Sequence, residues 1–188
     1  MIHLIVACHG RFAEELVNSA AMVFGEAEGV HAVTFMPGEG PEDLIRKYEA
    51  IMAEAGISDD VLFLVDLFGG SPYNAAIRVA DAYAAEHLEI HTENAREVAE
   101  RITNAGAIFV GEHSPVPLGD YLAGSNHVLP TGGTARFSSG LSVMTYLKPV
   151  QLIEYDAAAL EALTGPLAAL ATCEDLPAHA EAVRARRG

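Results

Sequence analysis

Along the first 84 positions the apolar residues alternate between two rhythms. Short apolar runs at 2–8 (IHLIVAC), 30–35 (VHAVTF) and 61–65 (VLFLV) read as strands, and the last, apolar at every position, as a strand covered on both faces. Between the first two, apolar residues at 12, 16, 20 and 23–24 recur at helical spacing until Gly25 stops the pattern. Pro41 suits a first helical position, and PEDLIRKYEAIMAEA continues as an amphipathic helix closed by Gly56. Ser71 reads as an N-cap and Pro72 as the first helical residue of a helix running through YNAAIRVADAYA. A strand–helix unit repeated three times predicts parallel strands joined by right-handed crossovers.

The texture then changes. Residues 88–92 suit a strand, Asn94 to Thr103 a helix and 107–110 (AIFV) another strand, and these pieces are placed to extend the first sheet. Should they pack elsewhere, the strand ending at Asp66 is left as an exposed edge. Residues 111–140 are rich in Gly, Pro and Ser, and a loop of that length is expected to be mobile or to drive oligomerisation. VQLIEY is strand-like, and two Ala-rich helices follow at about 157–172 and 177–187. The expected fold class is α/β: an open, mainly parallel sheet with helices on both faces, followed by a loop-rich and helical C-terminal extension. The expected domains are 1–110 and 111–188.

Composition narrows the field of function. The hydrophobic fraction of 51% in 188 residues is ample for a core. A formal net charge of −15 disfavours nucleic acid and anionic membrane surfaces, because their phosphates would be repelled. Cys8 and Cys173 have no CxxC spacing, so a reducing compartment fits better than a disulfide framework. The start MIHLIVACHG lacks a basic n-region, and no segment reaches the roughly 20 apolar residues that span a bilayer. The expectation is a cytoplasmic protein that is not membrane-embedded, with homo-oligomers as its resting form.

Candidate chemistry begins at the strand ends, where open parallel sheets bind ligands. His9 and Asp66 both sit there, and they meet if the first strand neighbours the third. An aspartate that accepts the Nδ1 proton of a histidine leaves Nε2 as a nucleophile. Two helices start nearby, and Gly10, Gly69 and Gly70 let an anion approach their amides. This set suits a histidine that accepts and releases a phosphoryl group. The plain alternative, a satisfied strand-end histidine beside a capping aspartate, stays open. There is no GxxxxGK[ST] to support nucleotide hydrolysis and no third ligand for a metal.

VACHGRFAEELVNSAAMVFG, FMPGEGPEDL and VLFLVDLFGGSPYNAA together resemble the mannose-family IIA component of the bacterial phosphotransferase system, over about residues 1–83. The resemblance implies that His9 takes phosphate from the histidine phosphocarrier protein and passes it to a IIB component, without a cofactor. It also implies that Asp66 orients the imidazole, and that Ser71 and the Pro37–Gly38 loop border the site. Cys8 stands where that family has Thr or Ser, and the family's last strand and helix are not recognisable after residue 83.

Residues 84–188 carry Glu86, His87, Asp120, His127, Glu174 and His179. An adjacent Glu–His pair can relay protons, and Asp with His can hold zinc, but at this wide spacing solvated acids and scattered histidines are the default reading. AEHLEIHTENAREVAERITNAGAIFVG, SPVPLGDYLAGSNHVLPTGGTARFSSGLSV and CEDLPAHAEAV resemble the C-terminal part of histidinol dehydrogenase, a zinc- and NAD-dependent oxidoreductase of histidine biosynthesis. The resemblance implies that Glu86 and His87 form an acid/base pair, that Asp120 and His179 are zinc ligands, and that His127 and Glu174 contact substrate. That family's other two zinc ligands and most of its nucleotide-binding portion have no counterpart here, and no GxGxxG occurs. The chain thus reads as a composite joined near residues 81–87. Completeness of the His9 site favours the phosphohistidine carrier, and an oxidoreductase fragment without activity of its own is the alternative.

Overall fold

The computed structural model describes residues 1–55 and 60–186. The expected closure of the second helix at Gly56 lies outside the described residues. Three βα units open the chain: β1 (Ile2–His9), α1 (Phe12–Phe24), β2 (Val30–Phe35), α2 (Pro41–Glu54), β3 (Asp60–Val65) and α3 (Ser71–Tyr83). The strands form a parallel sheet in the order β2-β1-β3, so the first strand does neighbour the third. Alternation along β1 decides which side each helix covers. Ile5 and Ala7 pack with Leu44 and Tyr48 of α2 and Ala75 and Val79 of α3, and Tyr48 donates its hydroxyl proton to the Pro72 carbonyl. Val6 and Cys8 face the opposite way, against Ala13 and Val17 of α1. Helices therefore cover both faces, and the α/β class holds.

Several local expectations are corrected. α1 packs through Ala13 and Val17, while Phe12, Leu16, Val23 and Phe24 of the expected apolar stripe are exposed. Ser71 is not an N-cap: the cap is Gly70, and Ser71 is already helical, because the Gly70 carbonyl accepts the first helical bond from Asn74 N–H. β3 is not covered on both faces. Val61, Phe63 and Val65 join the core, but Leu62 and Leu64, opposite Leu4 and Val6, are 51% and 48% exposed.

The reason lies in the next segment. β4 (His87–Ile90) and β5 (Ala107–Val110) pair with each other in a separate two-stranded parallel sheet and do not extend the first one. β3 is thereby left at an edge. Between them α4 (Ala95–Ala99) is shorter than the periodicity suggests, since the Thr103 and Asn104 amides donate to the Asp81 carboxylate at 2.7 and 2.9 Å. α3 links the two sheets nonetheless: its Ala75 and Val79 belong to the core of the first, and its Tyr73 and Ile77 pack with Ile90, Ala95, Val98 and Ile102 beside the second. Arg136 stitches the same region, its guanidinium donating to the Ala82 and Tyr83 carbonyls at the end of α3.

Residues 111–145 contain α5 (Val116–Tyr121) and two short 3₁₀ turns. The strand-like run at 150–155 forms no strand, and Val150, Leu152 and Ile153 are exposed. α6 (Ala157–Cys173) and α7 (Pro177–Arg184) follow and pack on each other through Ala168, Ala171 and Ala180. Contacts divide the chain into one compact unit of Met1–Thr145 and another of Tyr146–Gly188. Among the described residues no helix is long and apolar enough to cross a membrane.

Candidate functional site

Two histidines in the first unit sit beside an aspartate, and their surroundings differ. His9 ends β1, and Asp66 follows β3 at the same edge of the sheet. The Asp66 carboxylate accepts the His9 backbone N–H at 2.9 Å, and its two oxygens lie 3.1 and 3.2 Å from Nδ1. Burial pushes the Asp66 carboxyl up, but those hydrogen bonds and the imidazole beside it outweigh burial and hold it below the ordinary carboxylate range. Phe35, in register with His9 on β2, meets its ring edge-on at 5.6 Å. A Cβ on Gly70 would lie 2.9 Å from His9 Cε1, so only glycine lets the α3 turn approach this closely. The imidazole remains 41% exposed. Burial, and then the Asp66 charge, pushes the Cys8 thiol up.

The remaining residues of that expected set are less tightly gathered. Gly10 donates its N–H to the Phe35 carbonyl. Pro37 and Gly38 form the turn between β2 and α2, closed by Glu39 N–H on Met36 O and braced by Lys47 on Glu39. The Gly69 and Gly70 carbonyls both accept from the Asn74 side chain. Phe35 escaped the sequence reading, although its place at the end of the neighbouring strand was a usable signal.

His87 begins β4. Among the described residues its Nε2 is shut off from solvent and has no hydrogen-bond partner, although the ring as a whole is 31% exposed. The nearest carboxylate oxygen, Asp120 Oδ1 on α5, stands 3.8 Å away, beyond hydrogen-bond reach. Phe109 of β5 stacks on the imidazole, with centroids 6.0 Å apart. Two strand positions beyond the residue paired with His87, Phe109 falls on the same face. A Cβ on Gly119 would lie 2.6 Å from the Phe109 ring, so this glycine lets α5 press against it. Beside them opens a cavity of about 530 Å³, bordered by Phe109, Leu118, Gly119, Asn126, Leu129 and Leu141. Glu86 precedes His87, and its carbonyl accepts the Ala107 N–H. His127 is exposed on the loop after α5. Glu174 caps α6 and His179 lies exposed on α7, both in the second unit. Among the described residues no three His, Cys, Asp or Glu side chains gather as a metal site.

The family model for histidinol dehydrogenase matches residues 49–187. The chain belongs to the histidinol dehydrogenase family. The histidinol dehydrogenase of Corynebacterium glutamicum is 53% identical over 176 residues, 93% of this chain but 38% of that enzyme's length. The chain thus spans less than two fifths of this relative. A solved histidinol dehydrogenase from Elizabethkingia anophelis is 23% identical with a TM-score of 0.56, over 98% of this chain and 44% of its own, which shows a shared fold. The phosphotransferase component EIIA of Streptococcus agalactiae is 26% identical over 43% of this chain and 59% of its own, at a TM-score of 0.40.

These findings overturn the phosphoryl-carrier reading. The histidinol dehydrogenase match reaches back into α2, well before the expected join at 81–87, and so takes in Asp66, Gly69, Gly70 and Ser71. The likeness to EIIA is too loose to argue from. The sheet beneath His9 also stays at three strands, because residues 88–110 pair among themselves. The histidine phosphocarrier and IIB partners rested on that reading alone and have no separate support.

Proposed function

We propose that this chain is a C-terminal portion of a histidinol dehydrogenase-type oxidoreductase of histidine biosynthesis, acting on histidinol with NAD, and that it needs further residues to turn over. In this reading Glu86 and His87 move protons, and His127 and Glu174 contact substrate. The buried, unpartnered Nε2 of His87 carries the argument. A buried ring nitrogen without a hydrogen bond costs about 1–3 kcal/mol, and a bound group that meets it removes that cost. In this reading Nε2, whose ring stacks on Phe109, takes the hydroxyl proton that oxidation of an alcohol releases. The neighbouring cavity has the size of a small-molecule site.

The zinc that the family uses does not fit this chain by itself. Asp120 and His179 are two donors, where a catalytic zinc takes three protein ligands and an open position. Among the described residues none completes the set. We therefore derive no step through zinc and assign its missing donors to residues outside this chain. The same proposal includes a cytoplasmic setting and self-association, the latter supported by the open β3 edge with Leu62 and Leu64 exposed.

The test follows NAD reduction with histidinol and zinc, using the chain alone and mixed with the N-terminal three fifths of the C. glutamicum enzyme. The chain alone is expected to be silent and the mixture active. Turnover by the chain alone, or a mixture in which His87→Ala is as active as the unaltered chain, counts against the reading.

A further inference from the structure

We propose that His3 and His31 form a two-imidazole clip for a divalent first-row transition ion, with zinc, cobalt, nickel and copper as its class of ligand. Both lie outside the residues that match the histidinol dehydrogenase model. β1 and β2 run parallel, with His31 opposite Ile5. Alternation therefore puts His3 and His31 on one face at the N-terminal end of the sheet. His3 Nδ1 and His31 Nε2 approach to 3.1 Å, and the ring planes differ by 13° with centroids 5.4 Å apart. Both residues are half-buried.

The spacing is what a metal requires. With zinc–nitrogen bonds of about 2.1 Å, two ligands on one ion stand about 3.0 Å apart at a right angle and about 3.4 Å apart at the tetrahedral angle. The observed 3.1 Å lies between these values. The rings are stacked with planes 13° apart, so each must tilt out of its present plane to aim its lone pair at a common point. The strands already hold the imidazoles together, so little ordering remains to oppose binding.

Protons balance without an outside acceptor. In the neutral, metal-free pair one ring donates its N–H across the contact to the other ring's lone pair. On binding, that proton moves to the outer nitrogen of its own ring, and both contact nitrogens face the ion. Two imidazoles select the borderline transition ions over magnesium and calcium, which prefer oxygen. With two protein ligands the remaining positions are filled by water, giving an exchangeable site.

The experiment uses the full chain and cobalt(II) as a paramagnetic probe. At sub-stoichiometric cobalt the ring-proton NMR signals of His3 and His31 are expected to broaden together, ahead of those of His91, His113, His127 and His179. By calorimetry, zinc affinity is expected to fall by roughly tenfold or more in His3→Ala and in His31→Ala, whereas magnesium gives no heat in any form. Circular dichroism of each metal-free variant checks folding, and the wild-type NMR arm stands without the variants. The proposal is overturned if other histidines respond to cobalt first, or if both folded variants bind zinc as tightly as the unaltered chain.

Discussion

His9 and His87 offer two versions of a histidine beside an aspartate, and they differ in what is left undone. At His9 the pair is complete: the carboxylate holds both the backbone N–H and Nδ1, and the ring is open to water. At His87 the carboxylate stops at 3.8 Å and the inner nitrogen is buried without a partner. The tidier arrangement attracted the functional reading, yet the family model begins at residue 49 and does not include His9. A satisfied pair needs nothing more to explain it. An unsatisfied buried nitrogen does, and it belongs to the region that the relatives share.

The largest expected effect separates the two histidines directly. In the reconstituted mixture His87→Ala is expected to lower NAD reduction by about a hundredfold or more, the scale of a lost acid/base group, while His9→Ala leaves the rate unchanged. Equal losses from both would collapse the distinction. Next come the cores beneath the two sites. Ile5→Ala in the first sheet is expected to cost about 2–5 kcal/mol in chemical denaturation, and Ile90→Ala in the second about 2–4 kcal/mol. If the sheets unfold as one unit, both variants move the same single transition.

Gly70→Ala tests how tightly the His9 corner is packed. Its new Cβ would meet His9 Cε1 at 2.9 Å and Leu67 O at 3.1 Å, so a loss of about 1–3 kcal/mol is expected in the melting curve. The smallest effect is the acid response of Asp66. Its folded-state carboxyl is held below the ordinary range, so its contribution is full above the unfolded value and is lost as pH falls through the folded one. Melting temperature should therefore decline below about pH 4 more steeply for the wild type than for Asp66→Asn, which has no carboxylate to protonate. Parallel curves would mean that the pair contributes nothing to stability.

Most elements up to residue 83 were legible, because a period of two or 3.6 with Gly and Pro punctuation is a local signal. Gly25 and Pro41 mark ends where the structure puts them. What stayed hidden was non-local. Nothing in AIFV says that it pairs with His87–Ile90 and not with Asp60–Val65. Nothing in VQLIEY says that no partner strand awaits it. The short α4 depended on Asp81, a side chain about 20 residues upstream, diverting two amides. The His9–Asp66 pair could be read from strand ends alone, whereas His87 and Asp120 came together only through family resemblance, being 33 positions apart on different kinds of element.

The cluster that joins α3 to β4 and α4 bears on where the chain tolerates exchange. Tyr73 and Ile77 precede residue 84 and Ile90, Val98 and Ile102 follow it, yet they fill one interior. Position 84 is therefore not a folding boundary. Shuffled variants that exchange α3 alone should fail far more often than those exchanging α3 with β4 and α4 as a block, because only the block carries its matching side chains with it.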